Sequence, residues 1–471
     1  MDENSQIISG KLIRMSKDTK IPICSKATPD EMAVDLKPFV DFQDEGLSLE
    51  ALDKMIEDRL IPHLMRYDQS GFQSMFNAFP EKGAEFGAMI ALSYNQGVTN
   101  WQVSPGGVML EELCCKAMCR LFGFSPSADA TFMASGTYGN QEALYLALHK
   151  QAEKEGFNLA EKGLKGFKDP SRLIVLTSKD AHFSIKHAVR MLGLGEESLR
   201  FLPVDTNRRI DVNQMKETIE KLQESKDIFC VFITTGTTST GSVDPALPTA
   251  KICKEIGAWL HIDGAYGFAY SLVPEWKHLF EGAELADSLC WNPHKQLGIP
   301  IPNSLLFVKR WEDFGRMTIY SEYFNRREDP EPNPGLKSPP STRPFSTLAL
   351  VTSLRYQGMT KVIERLQSPL VAVKEFYENL KKESDIELCH QPDTGILCFR
   401  IAPNGFPEKE LDNLQRHVYD RIMAERDRTI SLTKLDDKVV LRVVAISPIV
   451  TTLALMETIS RVRALAKEYK K

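Results

Sequence analysis

The feature that most constrains the fold is an alternation of helix-period and short apolar segments between about residues 105 and 310. Apolar residues recur at helical spacing over 110–121 and 138–155. The candidate strands are the short apolar runs 173–176, 229–233, 258–262, 288–291 and 305–308. Continuous apolar strands separated by helices are typical of a mostly parallel sheet flanked by helices on both faces. The sequence therefore predicts an α/β fold.

Two further regions flank this alternation. Residues 1–95 are mostly helical in pattern, so we expect an N-terminal helical segment that packs on something larger. Beyond the sheet, a long helix pattern over 346–382 precedes strand-like pieces near 395–401 and 439–446. This order predicts a smaller C-terminal α/β domain. The predicted division of the chain is 1–95, 96–345 and 346–471.

A proline-rich segment, residues 320–345, ends the alternation. Its prolines are Pro330, Pro332, Pro334, Pro339, Pro340 and Pro344. Proline cannot continue a helix interior or a central strand, so the segment is predicted to be a long loop. Long loops in compact enzymes often act as lids, and this one begins with two tyrosines, Tyr320 and Tyr323.

Composition excludes several classes of function. The formal net charge of −5 and pI near 6.1 argue against nucleic acid or an anionic membrane as partner. A polar N-terminus and nine scattered cysteines favour a cytoplasmic protein with reduced thiols. The cluster Cys114, Cys115 and Cys119 lacks the His or Cys pair that would complete a zinc pattern, so we predict no metal site.

Two charged residues follow candidate strands directly. Lys295 ends the stretch Trp-Asn-Pro-His-Lys after one strand, and Asp263 lies in His-Ile-Asp-Gly-Ala-Tyr after another. Ligands of open α/β sheets bind at the carboxyl ends of strands. Taken alone, Lys295 is better explained by a solvated lysine on a turn, and an aspartate that caps the next turn is a plausible explanation of Asp263.

Three hydroxyl- or histidine-containing turns complete the pattern. Ser135, Gly136 and Thr137 open a helix, where backbone N–H groups bind anions such as phosphate. His182 follows the strand near 173–176, and Thr238 lies in a hydroxyl-rich turn after another strand. Each has an ordinary explanation: a helix N-cap, a hydrogen-bonded histidine, a polar turn. Together with a lysine and an aspartate, they are the groups that pyridoxal phosphate requires.

At this point the chain resembles the group II pyridoxal-phosphate-dependent amino acid decarboxylases, which have the type I fold of such enzymes. The resemblance covers roughly residues 60–460 and rests on the Asn-Pro-His-Lys and His-Ile-Asp-Gly-Ala-Tyr stretches. The run from Leu176 to Lys186, with Ala286-Asp287-Ser288, is most similar to the branch that decarboxylates glutamate and cysteine sulfinate. The resemblance implies a homodimer with its active site near the subunit interface.

The resemblance also implies a role for each site residue. Lys295 would bind the cofactor covalently, Asp263 would keep its pyridine nitrogen protonated, and His182 would stack on its ring, opposite Ala265. Ser135, Gly136, Thr137 and Asn292 would hold the phosphate, while Thr238 and His294 would complete the cofactor site. Tyr323 matches the loop tyrosine that protonates the substrate carbon, with Tyr320 as a rival one turn away. Arg442 matches the arginine that binds the substrate carboxylate, although an ordinary strand-edge arginine explains it equally well.

The substrate is less well determined by the sequence than the reaction. Phe76-Asn77 is similar to the glutamate branch, whereas Trp101 with Ser104-Pro105 is similar to the aromatic branch. Thr99 is a small residue. It occupies the position that limits the size of the substrate side chain in the enzymes that act on acidic substrates. Glu81 would oppose an acidic substrate if it faced the pocket.

These observations predict an L-amino acid α-decarboxylase, with acidic substrates slightly favoured. The alternatives are an aromatic or basic amino acid decarboxylase, a decarboxylating aldehyde synthase on the same scaffold, and a catalytically silent homologue that acts as a binding protein. The presence of Tyr323 argues against the aldehyde synthase. Intact Lys295, Asp263 and His182 argue against the silent homologue.

Overall fold

The computed structural model describes residues 22–323 and 325–469. The part of the predicted N-terminal segment before residue 22 lies outside these residues. The helices are α1 Pro29–Leu36, α2 Leu49–Met55, α3 Lys82–Tyr94, α4 Pro105–Leu121, α5 Gly136–Lys154, α6 Leu159–Lys162, α7 Ser184–Met191, α8 Val212–Leu222, α9 Ala246–Ile256, α10 Ser346–Leu380, α11 Glu408–Glu425 and α12 Thr452–Glu468. The strands are β1 Asp129–Met133, β2 Leu173–Ser178, β3 Leu199–Leu202, β4 Asp227–Thr234, β5 Trp259–Asp263, β6 Ser288–Trp291, β7 Ser304–Val308, β8 Ile386–Leu388, β9 Ile396–Ile401, β10 Ser431–Leu435 and β11 Lys438–Val444.

A seven-stranded sheet forms the centre of the larger compact unit, residues 76–371 and 390–397. Its strand order is β1-β7-β6-β5-β4-β2-β3. The pairs from β3 to β6 are parallel, and β7 runs antiparallel to both of its neighbours. Every residue of β2, β5, β6 and β7 is buried, as expected for strands covered on both faces. The predicted α/β architecture with a mostly parallel sheet is confirmed.

Two strands of this sheet were not predicted. β1 has the sequence Asp-Ala-Thr-Phe-Met, and its two polar residues interrupt an apolar run although all five residues are buried. β3 is a four-residue strand at one edge of the sheet, and its two middle residues are partly or fully exposed. Neither segment therefore carries the continuous apolar pattern by which the central strands were identified.

The smaller compact unit comprises the described residues up to Met75 together with 372–389 and 398–469. Its four-stranded sheet has the order β10-β11-β9-β8, with antiparallel pairing of β10 to β11 and of β8 to β9. Backbone hydrogen bonds join residues 71 and 73 to Thr429, so the N-terminal residues belong to this unit. The three-part division remains a prediction. The contacts group the described residues up to Met75 with 372–389 and 398–469, and they place 76–95 and 346–371 in the larger unit.

The proline-rich segment contains a single 3₁₀ turn, Pro334–Leu336, within its described residues. Its second half is tied to the sheet, because Lys337 forms ion pairs with Glu112 and Asp129, and buried Arg343 forms one with Glu111. Tyr323, in the first half, is 87% exposed. The ion pairs of Lys337 and Arg343 thus lie in the second half of the segment, after the first half, about residues 319–333.

Within residues 22–323 and 325–469, no helix is both long and apolar enough to cross a membrane.

Candidate active site

The carboxyl ends of β1, β2, β4, β5 and β6 lie along one edge of the seven-stranded sheet, because these strands run in the same direction. The turns that follow these strands line a cavity of about 200 Å³. Its lining residues are Ser135, Gly136, Thr137, Asn140, His182, Thr234, Gly236, Thr238, Asp263, Ala265, Tyr266, Asn292, His294 and Lys295. Segments distant in sequence thus meet at the edge where ligands bind in such folds.

Lys295 lies in the turn after β6, where its N–H donates to the carbonyl of Asn292 at 3.1 Å. Gly298 ends this turn with φ +64°, and a Cβ at that position would lie 2.6 Å from the carbonyl oxygen of Phe79. Only glycine fits such a backbone conformation and such a close approach. The Lys295 ammonium lies 4.8 Å from the centre of the Phe76 ring, which is within the range of a cation–π contact.

Asp263 is the last residue of β5 and is 4% exposed. One carboxylate oxygen, Oδ2, accepts a hydrogen bond from Asn140 Nδ2 at 2.9 Å, and Oδ1 accepts one from the backbone N–H of Ala265 at 3.1 Å. Two neutral donors, one from a side chain and one from the backbone, therefore hold the carboxylate at the wall of the cavity.

Helix α5 begins at the cavity, and Ser135 is its N-cap residue: the Ser135 hydroxyl accepts from the N–H of Tyr138 at 3.3 Å. A Cβ at Gly136 would lie 2.8 Å from Asn292 Nδ2, so the first turn of the helix packs directly against the Asn292 side chain. The positive end of a 19-residue helix and its unpaired N–H groups thus face the cavity. This arrangement suits a phosphate group.

His182 follows β2 and accepts a hydrogen bond from the N–H of Ser184 on its Nδ1 atom at 3.2 Å. Burial lowers the pKa of His182, and the charge of Lys295 acts in the same direction while Asp263 opposes it. The imidazole is therefore neutral at physiological pH, with its proton on Nε2. A neutral, flat ring is suited to stacking on an aromatic cofactor.

His294 is held in a similar state next to the lysine. Its Nδ1 atom accepts from the N–H of Asn303 at 3.2 Å. Burial lowers the pKa of His294 to about 4, assisted by the positive charge of Lys295. It therefore adds no second positive charge beside the Lys295 amine.

The cavity brings together all ten predicted cofactor residues, whereas the residues predicted to act on the substrate lie outside its lining. Phe76 contacts Lys295, as described above. Thr99 is buried, and its hydroxyl donates to the carbonyl of Ser341. Tyr323 lies on the exposed half of the proline-rich segment. Arg442 belongs to the smaller unit, where it is 5% exposed and donates to the Ser431 hydroxyl at 2.8 Å.

Glu81 does not line the cavity. Its carboxylate caps helix α3 by accepting from the N–H groups of Gly83 and Ala84 at 2.9 and 3.1 Å, and it also accepts from the Ser353 hydroxyl at 2.8 Å. The Glu81 side chain therefore has a structural role at the start of α3.

Sequence reasoning missed four lining residues: Asn140, Thr234, Gly236 and Tyr266. Asn140 lies one helical turn after Gly136, so it faces the same side of α5 as the start of the helix. Thr234 ends β4 and Tyr266 follows Asp263 closely. Each of these residues lies close in sequence to a predicted site residue, and this proximity was the signal that could have identified it as a cavity residue.

Comparison with known proteins identifies the family. Residues 30–402 match the pyridoxal-dependent decarboxylase conserved domain, so the chain belongs to that family. Its cofactor is pyridoxal phosphate and its activity is the decarboxylation of an amino acid. The lysine, the buried carboxylate and the helix N-terminus at one cavity fit the aldehyde, ring nitrogen and phosphate of that cofactor.

Several relatives cover most of the chain. It is 28% identical over 392 residues to L-2,4-diaminobutyrate decarboxylase of Acinetobacter baumannii, which covers 80% of this chain and 76% of the relative. It is 26% identical over 416 residues to an acidic amino acid decarboxylase of Mus musculus, covering 87% and 74%. Among solved structures, mouse CSAD in apo form matches with a TM-score of 0.89 at 23% identity, covering 99% and 98% of the two chains. That structural match supports the fold.

Proposed function

We propose that this chain removes the α-carboxylate of an acidic L-amino acid and releases the amine and CO₂. The observation that supports the proposal most strongly is the single cavity that is lined by Lys295, Asp263, His182 and the first turn of α5. When bound, pyridoxal phosphate supplies an electron sink for the pair of electrons that the departing carboxylate leaves behind. The remaining chemistry belongs to side chains of this chain.

In this proposal Lys295 Nζ provides the amine that holds the cofactor aldehyde. The carboxylate of Asp263 keeps the ring nitrogen protonated, which makes the ring a stronger electron acceptor. His182 stacks on one face of the ring as a neutral imidazole, and Ala265 packs on the other. The N–H groups at the start of α5, with Thr137 and Asn292, hold the phosphate.

The proposal assigns the final proton transfer to Tyr323. The hydroxyl of a general acid must come within hydrogen-bond reach of the carbon that it protonates, at about 2.6–3.2 Å. Tyr323 is 87% exposed and does not line the cavity, so closure of the segment 319–333 would be required to bring it there. The closed segment would also exclude water from the reacting carbon.

An acidic substrate is supported by two of the relatives. The acidic amino acid decarboxylase of Mus musculus and the cysteine sulfinic acid decarboxylase of Homo sapiens are 26% and 27% identical to this chain. Arg442 remains our candidate for binding a substrate carboxylate.

L-2,4-Diaminobutyrate is the second candidate substrate, because a decarboxylase of that amino acid is the relative with 28% identity. Its side chain carries an amine where the acidic substrates carry a carboxylate. The two candidates therefore require opposite charges in the part of the site that contacts the substrate side chain.

We further propose that the chain forms a homodimer in the cytoplasm. Helices α1 and α2 contain no buried residue, and Phe42, which lies between them, is 89% exposed. Phe42 and the exposed apolar side chains of the two helices would be covered by a second chain. All nine cysteines are free thiols, in keeping with a reducing compartment. Sedimentation equilibrium of the purified protein would measure the mass of the assembly directly.

The proposal is tested by an assay of the purified protein with the standard amino acids, cysteine sulfinate and 2,4-diaminobutyrate. Release of CO₂ and formation of the amine are measured together. We expect glutamate, aspartate or cysteine sulfinate to give the highest kcat/KM. Preference for 2,4-diaminobutyrate or an aromatic amino acid would contradict the acidic assignment, and no CO₂ release together with no visible absorption from bound cofactor would favour a silent homologue.

A further inference from the structure

A continuous chain of buried hydrogen bonds extends behind Asp263, away from the cavity. The indole N–H of Trp259 donates to Ser288 Oγ at 2.8 Å, and Ser288 Oγ lies 2.8 Å from His261 Nδ1. His261 Nε2 lies 2.9 Å from Asn140 Oδ1, and Asn140 Nδ2 donates to Asp263 Oδ2 at 2.9 Å. All five residues are at most 4% exposed.

The register of the sheet produces this chain. Trp259, His261 and Asp263 alternate along β5, so their side chains point to the same face. Ser288 begins β6 and is the cross-strand partner of His261. Helix α5 covers this face and places Asn140 between His261 and Asp263.

With a neutral His261 ring, one arrangement of protons satisfies every hydrogen bond in this chain. A carboxylate can only accept, so the Asn140 amide group donates to Asp263 and Asn140 Oδ1 accepts from Nε2 of His261. The Nδ1 atom of the neutral ring then accepts from the Ser288 hydroxyl, which itself accepts from the Trp259 indole.

We infer that Trp259, Ser288 and His261 are positioning residues that fix Asn140 as a donor to Asp263 and thereby hold the carboxylate in place for the cofactor. Burial lowers the pKa of His261 to about 4, so the ring stays neutral under working conditions. A neutral hydrogen-bond chain orients the Asp263 carboxylate without cancelling its charge. A positively charged His261 ring would instead weaken the carboxylate as a partner for the cofactor ring nitrogen. Asn140 also donates to the Ser184 hydroxyl at 2.9 Å, which fixes the amide from a second side.

This inference rests on the proposed role of Asp263, so the first measurement is independent of that role. In the cofactor-free protein labelled with ¹⁵N-histidine, the ring signal of His261 is assigned by its absence in His261→Gln. We expect a neutral ring with the proton on Nε2 throughout about pH 5.5–8.5. A protonated ring or a proton on Nδ1 would overturn the inference, whatever the function of Asp263.

Two conservative variants separate positioning from packing. His261→Gln places an amide N–H near the former Nε2 position and retains the bond to Asn140, whereas His261→Asn reaches only Ser288. We expect His261→Asn to lower kcat by about 10- to 100-fold and to weaken cofactor binding, with His261→Gln within about threefold of the wild type. Equal losses in both variants would indicate a purely structural histidine and would overturn the inference.

A matched pair of hydroxyl deletions controls for lost stability. Ser288→Ala removes a hydroxyl of the chain, and Thr249→Ala removes a buried hydroxyl on α9 whose Oγ1 donates to the Pro245 carbonyl at 2.7 Å. We expect only Ser288→Ala to weaken cofactor affinity, about 5- to 20-fold, in titrations of the folded apoproteins. The same loss of affinity in both variants would contradict a specific role for Ser288. Normal turnover in Asp263→Asn would instead contradict the role of Asp263 while leaving the tautomer result intact.

Discussion

The Nζ atom of Lys337 lies 2.8 Å from Asp129 Oδ2, which joins the second half of the proline-rich segment to the first residue of β1. Lys337 also pairs with Glu112 at 2.7 Å, and the buried Arg343 pairs with Glu111 a few residues later. Breaking a buried ion pair leaves an uncompensated charge, so these residues resist displacement. A lid built from this segment must therefore move in its first half.

Limited proteolysis with trypsin tests this division of the segment. We expect cleavage after Arg326 or Arg327, which are exposed, and not after Lys337. Cleavage should be slower in the presence of a substrate analogue, because a closed lid shields its backbone. Mass spectrometry of the first fragments identifies the sites. Early cleavage after Lys337 would show that the ion pairs do not anchor the second half.

Tyr323→Phe is expected to leave cofactor binding intact and to reduce amine formation. Without the hydroxyl, the carbon left by decarboxylation is not protonated. Dioxygen would then oxidise it by two electrons and be reduced to hydrogen peroxide, and water would release the aldehyde and ammonia in place of the amine. Oxygen consumption and amine yield, measured in the same reaction, report the partition. Tyr320→Phe is the matched control, since Tyr320 lies in the same exposed stretch at 45% exposure. Normal amine production in Tyr323→Phe, together with loss of amine production in Tyr320→Phe, would mean that Tyr320 is the proton donor and Tyr323 is not.

Asp263→Asn should lower kcat by about 30- to 1000-fold while the protein still folds. The amide retains a hydrogen bond but removes the charge that holds a proton on the ring nitrogen, which is worth roughly 2–4 kcal/mol in a dry site. Asp287→Asn is the matched control, because Asp287 lies before β6, at the opposite edge of the sheet, and accepts from Leu260 N–H at 2.9 Å. Near-normal turnover in Asp263→Asn would mean that another group supports the ring nitrogen.

Burial lowers the pKa of His390 to about 4, which gives the stability of the protein a defined pH dependence. Between about pH 6.5 and pH 4 the unfolded chain binds a proton at His390 and the folded chain does not. The free energy of unfolding therefore falls as the pH decreases through this window. His390→Gln removes this difference in proton binding between the folded and unfolded chain. Over the same pH window, the free energy of unfolding of the variant should therefore fall by up to about 3 kcal/mol less than that of the wild type.

Urea denaturation of both apoproteins at several pH values measures the difference. His278→Gln, at an exposed histidine, is the control and should follow the wild type. Parallel curves for His390→Gln and the wild type would show that His390 is accessible to protons in the folded state.

The central strands and the cofactor residues could be predicted from the sequence because both depend on local patterns. Apolar runs such as β5 are buried on both faces, and the residue that follows such a run lies at a predictable edge of the sheet. Lys295 and Asp263 were identified in this way, and both line the cavity.

Contacts between distant segments could not be predicted in the same way. The role of Asn140 depends on how α5 packs across β5, and the anchoring of Lys337 depends on Asp129, far away in the sequence. Glu81 illustrates the same limit, since its charge alone does not reveal that it caps α3. Side-chain partners of this kind are set by tertiary packing.

The most direct test of the account is to identify the residue that holds the cofactor. The holoenzyme is treated with borohydride, digested and mapped by mass spectrometry, with Lys295→Ala treated in parallel. We expect the label on the peptide that contains Lys295, and neither label nor turnover in the variant. Label on Lys186 or Lys309, with Lys295 unmodified, would contradict the assignment of this cavity as the active site.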